Sequence, residues 1–240
     1  MLQRDLRLEE RALSGITKEN DMTTAIIGIG NIGTIVARNL IQGGDRVILA
    51  NRDKSKADKL AAELGDLATS AEVVDAIAQS DVVVLALWLD TMKFFVPEFG
   101  KKLVGKIVVD PSNPVGPDAR GGIKRTLPAD QTSGQIIAHM LPNGARFVKA
   151  FGTLSADSLA SGARRTPERA VLFYATDDAG AGETVARLIT AAGFDPVKVG
   201  GADQSIRMEF GGDLAQFGPL VNGKLLTVAE AEALVGAGVH

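Results

Sequence analysis

Three glycines in the first quarter of the chain have a spacing that suits dinucleotide binding. Gly28, Gly30 and Gly33 form the pattern G-x-G-x-x-G, which follows an apolar run and precedes a stretch with helical spacing. In such a pattern the first glycine permits a tight turn, the second lets the backbone approach a pyrophosphate, and the third lets the helix pack closely on the sheet. The free N–H groups at the start of the helix would bind the pyrophosphate. Placed between a strand and a helix, the pattern indicates a dinucleotide-binding turn.

The end of the second apolar run favours NADP over NAD. NAD-binding proteins of this type have an acidic residue here, which binds the ribose 2′-hydroxyl group. This chain has Asn51 and Arg52 instead, and Lys56 lies one helical turn further on. A guanidinium group offers a planar fork of donors that suits phosphate oxygens. The alternative is that Arg52 and Lys56 are simply charges at the solvated start of a helix, but the residue roles favour a 2′-phosphate site.

The composition limits the chemistry that the side chains themselves could perform. The 240 residues include no cysteine and only two histidines, His139 and His240. Disulfides and thiol nucleophiles are therefore excluded, and neither a metal cluster nor a Ser–His triad is expected. His139 lies in a helix-like stretch and is interpreted as a surface or packing residue. We expect a bound cofactor to supply the chemistry, with no catalytic side chain and no metal.

Charge and hydropathy indicate a soluble, cytoplasmic protein. A net charge of −3 gives no basic footprint for nucleic acid. No apolar run reaches the roughly 20 residues that span a bilayer, and Asp5, Glu9 and Glu10 interrupt any secretory h-region. Residues 1–21 precede the first predicted strand as an N-terminal extension. A mobile arm, a dimer contact and the product of an upstream start codon all remain open for it.

The order of the elements predicts an α/β fold. Apolar runs at 81–87 and 106–110 are typical of parallel strands buried on both faces, and they alternate with helical stretches. We predict a Rossmann-type doubly wound parallel sheet with a smaller C-terminal α/β unit. Residues 22–128 would form the NADP-binding domain, and residues 129–240 a smaller domain that closes the acceptor pocket. Further strands are predicted at 146–151, 170–176 and 194–200, a loop at 114–130, and helices at 55–64, 70–78 with Ser70 as N-cap, 131–141, 179–192 and 203–217.

Ligands of such sheets bind outside the carboxyl ends of the strands. Leu87, Trp88 and Asp90 follow one predicted strand, and the turn at 110–114 with Asn113 follows the next. Trp88, the only tryptophan, has two interpretations. It is either a core or interface anchor, as buried aromatic residues commonly are, or a wall of the cofactor cleft.

Several motifs resemble the coenzyme F420-dependent NADP oxidoreductase family. They are GIGNIG at 28–33, ANR at 50–52 with Lys56, VVVLAL-W, VVDPSNP, VKAF-T at 148–153, and a closing R-x-E at 207–209. The same module is similar to the cytosolic reductase domain of eukaryotic membrane ferric reductases. The resemblance covers residues 22–217, and the last two motifs are its most specific part.

The resemblance implies roles for particular residues. The loop Ile29, Gly30, Asn31 and Ile32 would bind the pyrophosphate. Asn51, Arg52 and Lys56 would hold the 2′-phosphate, although family members often have Ser or Thr where Asn51 stands. Leu87, Trp88, Asp90 and Asn113 would flank the nicotinamide ribose, and Ala156 would approach the nicotinamide carboxamide. The partner coenzyme, an 8-hydroxy-5-deazaflavin, would stack on the nicotinamide in an apolar pocket.

One departure from the family concerns the hydride acceptor. Members that use F420 tend to have His or Asn where this chain has Gly152, so the pocket is predicted to be enlarged there. The expected activity is direct hydride transfer between NADP(H) and F420, a flavin, a quinone or a similar small acceptor, in a homodimer. Imine and β-hydroxyacid reductases are disfavoured because they need a long helical C-terminal domain. The remaining alternative is a redox sensor that binds NADPH without oxidising it.

Overall fold

The fold is organised around one eight-stranded sheet. The computed structural model describes residues 22–119 and 121–237, so the predicted extension at 1–21 lies outside the described residues. The strands are β1 (Thr24–Ile27), β2 (Val47–Ala50), β3 (Ala68–Ser70), β4 (Val82–Leu85), β5 (Ile107–Asp110), β6 (Val115–Pro117), β7 (Ile123–Arg125), β8 (Arg146–Ala150), β9 (Val171–Ala175) and β10 (Asp195–Gly200). The sheet order is β10-β9-β8-β5-β4-β1-β2-β3, and β6 pairs with β7 in a separate antiparallel hairpin.

The central strands have the burial expected of a doubly wound sheet. Every residue of β1, β2, β4 and β5 is buried, because helices cover both faces of the sheet. These strands all pair in parallel. The predicted fold class, a mostly parallel Rossmann-type sheet with flanking helices, is confirmed.

Nine α-helices lie in the described part of the chain. They are α1 (Asn31–Gln42), α2 (Lys54–Leu64), α3 (Val73–Ala78), α4 (Leu89–Leu103), α5 (Ser133–Met140), α6 (Ala156–Ser161), α7 (Ala179–Ala191), α8 (Ser205–Met208) and α9 (Val228–Ala237). Asp53, Thr132 and Asp178 accept a backbone N–H bond as N-caps of α2, α5 and α7. No helix in the described ranges is long and apolar enough to cross a membrane.

The strands after residue 129 extend the same sheet. β8 lies beside β5 in parallel, whereas β9 runs antiparallel to β8 and parallel to β10. One sheet therefore spans the boundary that we predict at residue 128. The division into two domains stays a prediction.

Three local predictions were wrong. Residues 203–217 form a short 3-10 turn (Ala202–Gln204), the four-residue α8 and then turns, because Gly211 has a φ of 89°, which no helix accommodates. Ser70 ends β3 instead of capping a helix, and Glu72 precedes α3. The 114–130 loop contains the β6–β7 hairpin. Helices α6 and α9 were not predicted.

Candidate functional site

The three fingerprint glycines have three different surroundings. Gly28 has a φ of 93°, and a Cβ atom there would lie 2.5 Å from the Ala86 carbonyl oxygen. A Cβ on Gly33 would overlap the Gly28 carbonyl oxygen, so the close packing of α1 on β1 requires glycine. A Cβ on Gly30 would meet none of the described atoms within 4 Å. Because Gly30 has an ordinary φ of −72°, the fold itself does not require a glycine there. The space above Gly30 is therefore open on the side that faces the central cleft.

The first turn of α1 faces that space with free backbone donors. Gly30 is the N-cap, no described side chain caps the helix, and its first turn has no acidic residue. The first N–H groups of a helix have no partner within it and carry the positive end of the helix dipole. A side-chain hydrogen bond stabilises this turn, since Thr34 Oγ1 donates to the Ile29 carbonyl oxygen at 3.1 Å. This arrangement suits an anion.

Three adjoining cavities lie at the carboxyl ends of the strands. The central cleft, of about 210 Å³, is lined by Gly30, Asn31, Ile32, Ala86, Leu87, Trp88, Pro111, Ser112 and Asn113. The side cleft, of about 450 Å³, is lined by Ile27, Gly28, Asn51, Arg52, Val73, Leu87, Thr91, Phe94, Phe95, Glu98 and Phe99. The apolar pocket, of about 290 Å³, is lined by Asn113, Val115, Ile123, Gly152, Thr153, Leu154, Ser155, Phe210, Gly211, Ala215, Gln216 and Phe217. Leu87 joins the first two cavities, and Asn113 joins the central cleft to the apolar pocket.

Arg52 is an exposed cation on the side cleft. Its side chain makes no ion pair or hydrogen bond with the rest of the described residues. Asn51 Nδ2 donates to the Asp53 carbonyl oxygen at 3.2 Å. Lys56 lies outside the lining, and its Nζ is 4.0 Å from Asp53 Oδ2. A hydrogen bond from the Ser55 hydroxyl group lowers the pKa of Asp53, so this carboxylate stays ionised as the cap of α2.

Most of the predicted site residues line the three cavities. Lys56 and four other predicted residues do not. Ile29 packs on the core, and Gly33 is buried under the glycine turn. Asp90 is exposed and pairs with Lys93 at 3.2 Å, and Ala156 is the first residue of α6. Trp88 is 66% exposed and lines the central cleft, so it is not a core residue.

The structure shows why position 152 is a glycine, a reason that the sequence did not reveal. Phe151, at the end of β8, is buried with a φ of 63°, a conformation that is rare for a bulky residue. The chain is thereby brought against the 110–114 turn, where a Cβ on Gly152 would lie 2.5 Å from the Pro111 carbonyl oxygen. Asn113 Nδ2 donates to the Gly152 carbonyl oxygen at 2.8 Å, which fixes this approach. The backbone approach therefore requires glycine at position 152, which lines the apolar pocket, and the predicted enlargement of the pocket at this residue stays a prediction.

A buried network of charges underlies the central cleft and the apolar pocket. Lys149 Nζ donates to Asp110 Oδ2 at 2.9 Å, to the Ser112 carbonyl oxygen at 2.6 Å and to Ser133 Oγ at 2.8 Å. Glu209 lies 3.5 Å from the same ammonium group and accepts from the Ser133 and Gly134 backbone N–H groups at the start of α5. The motifs VKAF-T and R-x-E contain Lys149 and Glu209, but their contact across 60 residues was not predicted.

The arginine of the R-x-E motif also makes buried contacts that stabilise the fold. Arg207 is buried, pairs with Asp213 at 2.9 Å and donates to the Leu234 and Val235 carbonyl oxygens. His139 is exposed on α5, with Nδ1 2.7 Å from the Gln135 carbonyl oxygen. Within 22–119 and 121–237, no three His, Asp or Glu side chains are arranged to hold a metal ion.

Comparisons with known proteins agree with this geometry. Residues 23–114 match the family model for coenzyme F420-dependent NADP oxidoreductases. The F420-dependent NADP reductase of Methanothermobacter thermautotrophicus is 27% identical over 148 residues, 58% of this chain and 64% of the relative. The glutamyl-tRNA reductase of Methanopyrus kandleri is 41% identical over 83 residues, 34% of this chain and 20% of the relative. The matches thus span less than two thirds of either curated relative.

A solved structure extends the likeness over most of the chain. A hypothetical protein of Sinorhizobium meliloti superposes with a TM-score of 0.71 at 28% identity, covering 89% of this chain and 98% of that one. The fold and the glycine turn define a Rossmann-type protein, and the similarity to F420-dependent NADP oxidoreductases lies in its N-terminal half. The predicted resemblance to the coenzyme F420-dependent NADP oxidoreductase family is confirmed over residues 23–114, the segment that matches the family model.

Proposed function

We propose that this protein is an NADPH-dependent oxidoreductase that transfers a hydride between the nicotinamide and a small acceptor in the apolar pocket. One observation carries the proposal most directly. Asn113 lines both the central cleft and the apolar pocket, so a ring held in one would meet a molecule held in the other. The match of residues 23–114 to the family model of F420-dependent NADP oxidoreductases gives independent support for NADP(H) as the cofactor.

The residues that are present fit NADP(H). The start of α1 and the space above Gly30 would hold the pyrophosphate, and Asn51 and Arg52 would hold the 2′-phosphate beside the side cleft. Lys56 would join them once a phosphate is present, because its nearest carboxylate, on Asp53, is 4.0 Å away. Leu87, Trp88 and Asn113 would flank the nicotinamide ribose. When bound, NADPH supplies a hydride from C4 of its ring.

The chain's own contribution to the reaction is to position the reactants. Asn113 Oδ1 accepts from the Phe210 N–H at 2.6 Å and Asn113 Nδ2 donates to Gly152, so the wall between the two cavities is fixed from both sides. Correct positioning alone lowers a barrier by up to about 7–11 kcal/mol in well-oriented cases. No Asp, Glu, His, Lys or Arg is among the described residues of the apolar pocket. Water would therefore supply any proton that the reduced acceptor takes up.

Further parts of the proposal concern the molecule as a whole. Asp90 and Ala156 lie beyond the cavity linings, and we assign them to the rim of the nicotinamide site, as the family resemblance implies. The unit from residue 129 onward would close the acceptor pocket. We propose that the protein is a cytoplasmic homodimer. Its second substrate would be a small-molecule acceptor, namely F420, a flavin or a quinone.

Titration with NADPH and NADH, followed by anaerobic mixing with acceptors, tests the proposal. We expect NADPH to bind more tightly than NADH and its absorbance at 340 nm to fall with at least one of F420, FMN, riboflavin or a quinone. Tight NADPH binding without oxidation by any of them would contradict the enzyme proposal. That result would favour the alternative, a sensor that binds NADPH without turnover.

A further inference from the structure

The apolar pocket is neutral throughout its described lining. Six aliphatic or aromatic side chains form most of its wall, and the described residues around it include no ionisable group. Two of these apolar residues stand at the mouth, where Phe217 is 73% exposed and Ile123 is 57% exposed. A ligand that covers them gains free energy in proportion to the apolar area that it removes from water. An anionic group would lose hydration here without gaining a counter-charge.

The amide side chains of the pocket are already engaged within the protein. Asn113 uses its oxygen for Phe210 and its nitrogen for Gly152. Gln216 is buried, its Oε1 accepts from the Ser155 N–H at 2.7 Å, and its Nε2 donates to Ser158 Oγ at 2.7 Å. Ser155 Oγ accepts from the Ser158 N–H but donates to no atom of the described residues, so its hydroxyl proton is available. The pocket therefore offers a ligand an apolar surface and very few hydrogen bonds.

Positive charges next to the pocket are compensated by carboxylates. Arg125 lies 3.7 Å from Glu209 and donates to the Phe210 carbonyl oxygen at 3.2 Å. Arg207, in the neighbouring cavity that shares Gly211 with the pocket, pairs with Asp213 at 2.9 Å. An anionic tail that extended from the pocket toward these arginines would meet cations that carboxylates already neutralise. This differs from the side cleft, where Arg52 has no such partner among the described residues.

We propose that the acceptor is an uncharged planar carbonyl compound of the quinone class. The inference rests on the proposed function and specifies its second substrate. In the reaction, the C4–H bond of the dihydronicotinamide breaks and its hydride forms an O–H bond at one quinone oxygen. The second oxygen takes one proton from water, so that NADPH, a quinone and H⁺ give NADP⁺ and the hydroquinone. The hydroxyl groups of Ser155 and of Thr153, which is buried without a hydrogen-bond partner among the described residues, are the side-chain donors that the pocket offers to a quinone oxygen.

Two matched pairs of acceptors separate ring chemistry from charge. Menadione and its 2-sulfonate share a ring and differ by one negative charge, and riboflavin and FMN differ by a phosphate group. Anaerobic NADPH oxidation is measured with each, and the rate without protein is subtracted. We expect kcat/KM for menadione to exceed that for the sulfonate by about tenfold or more, the factor that corresponds to one modest desolvation penalty, and riboflavin to react faster than FMN.

Equal or faster oxidation with the anionic member of both pairs would overturn the inference. Faster reaction of F420 or a flavin than of menadione would also overturn it, since either result would show that the acceptor is not of the quinone class. A protein that binds NADPH but reduces none of the acceptors would contradict the proposed function, and this inference with it. The NADPH titration distinguishes that outcome from a failure of the charge argument alone.

A pair of variants tests the pocket directly. Ile123→Lys introduces a cation at the mouth, and Val104→Lys introduces one at a site of similar exposure, 51%, at the end of α4 and outside all three cavities. We expect Ile123→Lys to raise the ratio of sulfonate to menadione kcat/KM by about fivefold, the effect of one charge at close range in water. Val104→Lys should leave the ratio unchanged. The same change in both variants, or in neither, would contradict an acceptor bound at Ile123.

Discussion

Two cationic side chains near the central cleft have opposite surroundings. Arg52, on the side cleft, is exposed and has no charged partner among the described residues, whereas Lys149, beneath the apolar pocket, is 2% exposed and contacts Asp110 and Glu209. A buried charge is tolerated only when it is paired and hydrogen-bonded. An exposed cation costs the fold little and keeps its donors for a ligand. The side cleft therefore has charge available for binding, while charge near the apolar pocket holds the structure together.

Replacement of Lys149 should have the largest effect. In Lys149→Met the carboxylates of Asp110 and Glu209 lose their shared cation, and breaking a buried pair costs about 3–5 kcal/mol. We expect the free energy of unfolding, measured by urea denaturation, to fall by that amount. Lys198→Met on β10, where the lysine is exposed, is the control and should change it by less than about 0.5 kcal/mol. A loss below about 1 kcal/mol for Lys149→Met would show that the network is not structural.

The fingerprint glycines provide the next contrast. Gly33→Ala forces a Cβ against the Gly28 carbonyl oxygen and should lower the free energy of unfolding by about 1–3 kcal/mol, as overpacking does. The same change should also weaken NADPH binding. Gly30→Ala meets open space and should leave the melting temperature unchanged while the Kd for NADPH rises at least about tenfold. Calorimetry and fluorescence titration measure the two quantities. If Gly30→Ala bound NADPH as the wild type does, the pyrophosphate could not lie above Gly30.

Arg52→Ala tests the exposed cation. Hydrogen bonds to charged groups contribute about 1.5–3 kcal/mol, so the Kd for NADPH should rise about 10- to 100-fold. The Kd for NADH, which has no 2′-phosphate, should remain near its wild-type value. Arg38→Ala, which removes an exposed arginine on the outer side of α1, is the matched control. An equal loss for both dinucleotides would mean that Arg52 is only a surface charge.

The sequence predicted those parts of the molecule that depend on local patterns. The run that became β4 is apolar throughout, and the run that became β5 is apolar up to Asp110, because both faces of these strands are buried. The glycine spacing and the pair Asn51 and Arg52 pointed to the edge of the sheet where the central and side clefts lie, because Gly28 directly follows β1 and Asn51 directly follows β2. Residues 203–217 were mispredicted as helix because their composition outweighed the effect of Gly211.

The apolar pocket could not be predicted in the same way. Its wall combines the β6–β7 hairpin, the segment after β8 and the turns after α8, and no local pattern indicates that they meet. The need for glycine at position 152 arises from Pro111, 41 positions earlier in the chain. Similarly, Glu209 caps α5 from 75 residues away. Such contacts follow from the packed fold and leave no spacing in the sequence.

The most direct test of the central claim is to fill the apolar pocket without altering the nucleotide clefts. Val115 on β6 lines only this pocket among the three cavities. In Val115→Trp, kcat for NADPH oxidation with menadione should fall at least about tenfold, because the acceptor loses its volume beside Asn113, while the Kd for NADPH stays at the wild-type value. Unchanged turnover, or an equal loss of NADPH binding, would contradict the proposal that hydride passes from the central cleft into this pocket.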